Sequence, residues 1–317
     1  MRPIGGFFEL ELPHHGHSPY PEAIPLSTGR ACLMVILEQV KPKLVYVPFH
    51  TCDATLDPFR RMNVEIQFYA LNEDLSPSSL PLLGSSDYFL WIDYYGVCGR
   101  ITERLKALYR GQLIIDDTHS FYRGAHEGIW SFTSARKHFG VPDGAYLHAP
   151  TSMELDAPRF QAVSFHHNIL RSMGLQKEAF AAYQQYEGSL TSDVYMMSTV
   201  SEGLLRGVDH AAVKAARRMN FLFLEEHLGS QNRLEFDRSA SFVPFCYPFL
   251  PTRPVERKAL HAVDLFIPHF WLDTLNRKGE DHVWEKHIST ELLPLPIDHR
   301  YGQTDLIRLV DHLLRGA

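Results

Sequence analysis

The sequence predicts an α/β protein built on a mostly parallel sheet, with a smaller α+β part at its C-terminal end. Three observations carry this expectation. Short apolar runs alternate with helical runs through the first half of the chain. The second half drops that alternation and opens with one long amphipathic helix. The chain has 317 residues, 45% of them hydrophobic, which is enough for one large core and a second, smaller one.

The elements follow in order. Arg30–Val40 (RACLMVILEQV) reads as a helix, and Lys43–Val47 (KLVYV) as a strand closed by Pro48. Val64–Ala70 and Asp87–Ile92 (DYFLWI) read as further strands. Ile101–Arg110 is helical, and Leu113–Ile115 is a strand that runs into two aspartates. Ile129–Thr133 and Ala145–His148 complete the strand set. Ala212–Leu228 is the long amphipathic helix. It is followed by the strand-like Phe242–Leu250, a Pro-rich break, a helix near Arg257–Val263 and a closing helix at Thr304–Leu314. We place a domain boundary near residue 215, dividing a large domain (1–215) from a small C-terminal one (216–317). No internal repeat and no low-complexity tract is visible.

Composition narrows the function classes. The formal net charge is −6, which argues against a basic nucleic-acid-binding face. Arg217-Arg218 and the Lys41/Lys43 pair are expected on solvated faces. The four cysteines (Cys32, Cys52, Cys98 and Cys246) form no CxxC pair and no cluster with zinc spacing. That usage fits reduced thiols and a cytoplasmic setting. The N-terminus has no long apolar run behind its first Arg, so no signal peptide is expected. No run reaches the roughly 18 apolar residues of a membrane helix, so no membrane partner is expected.

In open α/β sheets, ligands bind beyond the carboxyl ends of the strands, so polar residues just after apolar strands are the candidates. Leu113–Ser120 (LIIDDTHS) delivers two carboxylates and a histidine to such an end; the ordinary alternative is a turn that caps the next element. Ser131–Leu147 (SFTSARKHFGVPDGAYL) holds Lys137 in a polar loop between two strands. A lysine there can lose its proton and attack a carbonyl, whereas most lysines are simply solvated. Ser27–Leu33 (STGRACL) sets small residues before a helix, where free N–H groups can receive a phosphate; a plain Ser/Thr cap is the alternative.

The order of these three segments resembles a known family. The chain is similar to the sugar aminotransferases of the DegT/DnrJ/EryC1/StrS group, which are pyridoxal-phosphate (PLP) enzymes of the aspartate-aminotransferase fold type I. STGRACL stands where the family has its Ser-Gly-Thr-like helix start, and Val47–Thr55 (VPFHTCDAT) resembles its Pro-x-x-Thr-Phe-x-Ala-Thr segment. Tyr94–Gly96 resembles its aromatic-Tyr-Gly, IIDDTHS its Ile-Glu-Asp-Ala-Ala-Gln, and SFTSARKHFGVPDGAYL its lysine segment. The N-terminal GGFFELEL and the closing LLPLPIDHRYG resemble a shorter branch of the group. The likeness spans nearly the whole chain and is strongest over residues 27–147.

The resemblance implies a set of roles. Lys137 would carry pyridoxal 5'-phosphate covalently as a Schiff base and later move the substrate proton. Asp116, with Asp117 as the competing choice, would pair with the pyridine nitrogen and keep it protonated. His119 would contact the ring or its hydroxyl. Thr28, Gly29 and Arg30 would hold the phosphate, and Ser134 would add a hydroxyl. The expected reaction moves an amino group from glutamate or glutamine to a nucleotide-linked keto sugar, for polysaccharide or glycoconjugate synthesis. The expected assembly is a homodimer whose neighbouring subunit completes the site, with Met197–Gly207 a loose match to the segment that does this. The chain departs from the family at Cys52, where an aromatic residue is usual, in the Arg136 and Val-Pro-Asp-Gly of the lysine loop, and in its shorter second domain.

Other readings fit the sequence less well. Ser134-x-x-Lys137 matches the start of penicillin-interacting enzymes, but neither Ser-Asp-Asn nor Lys-Thr-Gly occurs. His14, His15 and His17 read as a solvated loop, as do His166-His167. Asp116-Asp117 holding a divalent metal would make the chain a nucleotide-sugar glycosyltransferase. Other PLP chemistry (dehydration, decarboxylation, racemisation) and a non-catalytic relative also remain open.

Overall fold

The computed structural model describes residues 8, 10–13, 15–239, 242–279 and 281–315. His14 and half of the GGFFELEL segment (residues 5–7 and 9) lie outside the described residues.

The first-half elements sit close to where periodicity places them. They are α1 (Gly29–Val40), β2 (Leu44–Pro48), β3 (Glu65–Tyr69), β4 (Asp87–Ile92), α3 (Gly99–Tyr109), β5 (Leu113–Asp116), β6 (Trp130–Ser134) and β7 (Ala145–His148). Two more were not legible: the three-residue strand β1 (Ile24–Leu26) and α2 (Asp53–Arg61). Pro58 lies inside α2 and hides its periodicity. After β7 come α4 (His166–Ser172), α5 (Gln176–Ser189), α6 (Thr199–Arg206) and α7 (His210–Leu228). The C-terminal part holds β8 (Cys246–Phe249), α8 (Arg257–His261), α9 (Asp273–Asn276), α10 (Val283–Glu291), β9 (Leu293–Pro296) and α11 (Gln303–Arg315). Residue 215 falls within α7.

Seven strands form one sheet in the order β1-β7-β6-β5-β4-β2-β3. β2 pairs in parallel with β3 and β4, and β4–β5 and β5–β6 are also parallel. β7 runs antiparallel to both β6 and β1. The parallel strands leave their carboxyl ends on one edge, and that edge receives the candidate residues.

Alternation along the strands splits the core between the two faces. Phe89, Trp91, Leu113 and Ile115 join one apolar cluster, which continues into α7, β8, β9 and α11. Leu90, Ile114, Val45, Val47 and Phe132 join the other, with the buried face of α1. The Ala31, Cys32, Leu33, Val35, Ile36 and Leu37 stripe of α1 is buried because the helix is covered by the sheet on that side. α1 stops at Lys41, which adopts a left-handed φ of 44° just before Pro42. A separate antiparallel ribbon, β8–β9, belongs to the C-terminal part. α7 packs against both α11 and β8. No helix among the described residues is long and apolar enough to cross a membrane.

Two expectations are corrected. His166 and His167 do not form a solvated loop: they open α4, and His167 is buried. Arg217 does not lie on a solvated face: it is buried on the inner side of α7, with its guanidinium donating to the carbonyls of Pro244 and Phe245, while Arg218 is exposed. The helical period, not the dipeptide, decides this, since Val213, Arg217, Asn220 and Leu224 share one face.

Candidate active site

The site begins at the start of α1. Thr28 has extended backbone angles, and its Oγ1 accepts the N–H of Ala31 at 3.0 Å. The N–H groups of Gly29 and Arg30 have no acceptor among the described residues. They therefore point out of the positive end of a 12-residue helix. A Cβ on Gly29 would lie 3.4 Å from the Phe132 ring and 3.5 Å from Thr118 Cγ2, so the helix start sits against both β6 and the turn after β5. The Arg30 side chain is half-buried and lines an open cleft of about 650 Å³ with Asp53, Asp57 and Arg60.

The turn after β5 carries the two aspartates, and the structure gives them different partners. Asp117 is committed to the protein: its Oδ2 lies 2.7 Å from His126 Nε2. Burial pushes its carboxyl up to about 6, against the pull of His126. Asp116 closes the strand, is 5% exposed, and accepts the N–H of Thr118 on Oδ1 at 2.9 Å. Burial also raises its carboxyl, and the Thr118 bonds and the nearby Lys137 charge oppose that rise. With Asp117 tied to His126, the two carboxylates do not form a matched pair of free metal ligands. Among the described residues no three His, Cys, Asp or Glu side chains are grouped to hold a metal ion.

His119 follows two residues later and is 1% exposed. Its ring stacks on Phe245 with centroids 4.5 Å apart and planes 15° from parallel. Burial, then the charge of Lys137, hold its pKa well below the ordinary histidine range, so the ring is uncharged. Lys137 stands in a single turn of 3-10 helix, Ala135–Lys137, directly after β6. Its Nζ is 3.0 Å from His119 Nε2. The side chain is exposed, so a lysine of this chain reaches solvent at the ligand edge of the sheet. Ser134, buried at the end of β6, is three residues before it.

Behind the lysine loop, Asp143 holds the start of α6. It accepts Ser201 Oγ at 2.5 Å and the Ser198 main chain at 2.8 Å, so α6 is fastened to the loop between Lys137 and β7. This gives the Met197–Gly207 segment its place beside the site.

Sequence reasoning missed several residues that surround this group. Trp271, from the C-terminal part, packs its ring 5.3 Å from His119, 4.5 Å from His50 and 5.5 Å from Tyr95. His50 is fully buried. Its Nδ1 is 3.3 Å from Ser289 Oγ, and its Nε2 has no partner among the described residues. Thr51 Oγ1 is likewise buried without a partner. His50 and Thr51 lie in the VPFHTCDAT segment but carried no individual signal. Trp271 and Phe245 carried none, because only long-range packing brings them here.

The residues present suit the cofactor expected from the resemblance. Free N–H groups at a helix start suit a phosphate ester. A buried carboxylate suits a protonated pyridine nitrogen, and an accessible amine suits an aldehyde. The orphaned Thr51 Oγ1 and His50 Nε2 are the kind of buried polar atoms that a polar ligand satisfies.

No protein-family model matches the chain, and no curated protein matches it in sequence. Solved structures do match. DesI, determined in the presence of its TDP-sugar product, superposes with a TM-score of 0.63 at 13% identity, over 93% of this chain and 80% of its own. A DegT DnrJ EryC1 StrS aminotransferase from Brucella abortus gives 0.62 at 13% identity, over 92% and 85%. NtdA from Bacillus subtilis, with bound cofactor PMP, gives 0.60 at 12% identity, over 92% and 72%. The chain thus shares the overall fold of these solved structures.

Proposed function

We propose that the chain is a PLP-dependent aminotransferase that moves an amino group, from glutamate or glutamine, to a keto sugar linked to a nucleotide. The observation that carries this is one cluster: Lys137 Nζ on His119 Nε2, Asp116 at the adjacent strand end, and the open N–H groups of Gly29 and Arg30 beside it. It sits in a fold shared with a neighbour whose structure was determined with its TDP-sugar product and another with bound PMP.

In this reading Gly29, Arg30 and Thr28 would hold the phosphate, with Ser134 adding a hydroxyl. Asp116 would keep the pyridine nitrogen protonated, and His119 would contact the ring or its hydroxyl. The cofactor, when bound, would supply a sink for the electron pair left on the substrate carbon. Lys137 would supply the amine that holds the aldehyde and would carry the proton to and from that carbon. The aromatic wall of Phe245, Trp271 and Tyr95 keeps water from His119, and so preserves its uncharged form. We further propose a cytoplasmic homodimer serving polysaccharide or glycoconjugate synthesis, with the partner's copy of the α6 region completing the site. The small domain begins within α7.

The test is the visible spectrum of the purified protein with added pyridoxal phosphate, before and after borohydride, followed by peptide mapping. A yellow band trapped on Lys137 supports the reading. The absence of both band and adduct overturns it and leaves a non-catalytic relative.

A further inference from the structure

We infer that Arg217 is a substrate-binding residue: the open Nε/Nη2 edge of its buried guanidinium receives a carboxylate of the amino donor. The carboxylate site follows from Arg217 and its neighbours; only its assignment to an amino donor rests on the aminotransferase reading above.

Arg217 lies on the inner face of α7 and is 1% exposed. One corner of its guanidinium is used: Nη1 donates to Phe245 O at 2.9 Å and to Pro244 O at 3.4 Å. Nε is buried without a partner, and Nη2 has no acceptor among the described residues. Nε–H and Nη2–H form the parallel pair that a carboxylate bridges. Two other arginines of this chain have that edge filled. Arg300 places Nε 2.7 Å from Asp298 Oδ1 and Nη2 3.0 Å from Asp298 Oδ2. Arg123 places Nε 3.0 Å and Nη2 2.8 Å from Asp93 Oδ2. Both side chains are more exposed than that of Arg217. The most deeply buried of the three is the one left open.

Its charge also lacks a counterion among the described residues. Asp298 is the carboxylate whose field reaches Arg217, and both of its oxygens are held by Arg300. Tyr122, Cys246 and His138 also face Arg217, and burial keeps all three uncharged. A guanidinium does not shed its proton, so a positive charge stays buried here. An unpaired buried charge is costly, and a carboxylate in the open edge offsets that cost. Phe245 ties the edge to the candidate site. Its carbonyl holds Arg217, its ring stacks on His119, and His119 Nε2 is 3.0 Å from Lys137 Nζ. The phosphate cradle is elsewhere: α1 packs on one face of the sheet and α7 on the other. Of the two substrates proposed above, glutamate or glutamine brings a carboxylate, whereas the nucleotide brings phosphates.

The test titrates glutarate, a dicarboxylate without the reacting amine, into the full chain, with and without added pyridoxal phosphate. Inorganic phosphate is the control anion. In protein labelled with ¹⁵N-arginine, the Nε–H signal of Arg217 is assigned by its loss in Arg217→Lys. We expect this signal to move downfield and saturate with glutarate, and to stay in place with phosphate. By calorimetry Arg217→Lys, which keeps the charge but not the edge, should bind glutarate about tenfold to a hundredfold more weakly. Because that variant also loses the Phe245 contact, the wild-type signal decides. No movement, as for an edge filled by water alone, overturns the inference. So does movement that never saturates, movement that phosphate produces equally, or Arg217→Lys binding as tightly as the wild type. Saturable movement in a protein that forms no borohydride-reducible adduct with pyridoxal phosphate would support the carboxylate site and remove only the aminotransferase reading.

Discussion

Mild acid should destabilise the fold through His50, and the amount follows from its surroundings. The ring is fully buried, its Nε2 has no partner, and burial followed by the Arg277 charge pulls its pKa from the ordinary 6.5 to about 3. The unfolded chain therefore binds a proton that the folded one refuses. A group with a depressed pKa of this kind costs nothing above pH 6.5. It removes stability as pH falls from 6.5 towards 3, because the unfolded state gains the proton. Between pH 7 and pH 5 that loss is roughly 2 kcal/mol, at 1.36 kcal/mol per unit below the unfolded pKa. His119 and His138 are depressed in the same direction, so the wild type should lose more than this single share. The His50→Phe variant isolates it. Urea unfolding of both proteins at pH 7.0, 6.0 and 5.0 gives two stability profiles, and the gap between them should change by roughly 2 kcal/mol across that range. Parallel profiles, within about 0.5 kcal/mol, would refute the reasoning and mean that His50 reaches water in the folded protein.

Three further outcomes follow from the site. Lys137→Ala removes an exposed side chain, so stability should stay within about 0.5 kcal/mol while covalent cofactor attachment is abolished; a surviving borohydride-reducible adduct would move the attachment elsewhere. Asp116→Asn should lower activity about a hundredfold, whereas Asp117→Asn should act mainly on stability, by about 1 to 3 kcal/mol, since it strips His126 of its ionised partner. Kinetics and urea unfolding of both variants decide this, and the reverse ranking would make Asp117 the pyridine partner. Gly96→Ala should cost about 2 to 4 kcal/mol by the same unfolding assay, because its Cβ would meet the backbone at His119 O and 3.1 Å away at Phe245 N; a loss below 1 kcal/mol would mean that the turn is looser than drawn.

The strands that build the sheet were legible because their burial has a local cause. LVYVP, DYFLWI and LIID are short apolar runs bounded by turn residues, and each becomes a strand of the parallel sheet. Elements lacking such a signature were not legible. β1 is three residues long, and α2 carries Pro58 within nine residues of mixed polarity. Their existence depends on partners rather than on local pattern: β1 is held by β7, far along the chain, and α2 packs against the preceding α1.

The candidate site divides in the same way. The sequence alone determined that a strand-end aspartate, a histidine two or three residues later, a looped lysine and a small-residue helix start occur in one order, because each sits at the end of a locally recognisable element. Which aspartate is tied to a histidine was decided by how the β5–β6 connection folds back, since the 2.7 Å contact of Asp117 comes from His126, nine residues further along that connection. The burial of Arg217, the wall made by Phe245 and Trp271, and the Tyr95 N–H on His119 have the same origin. Period and spacing set which way a side chain faces on its own element. What it meets there is set by residues as far as 239 positions away, and those meetings set burial, hydrogen bonding and charge at the site.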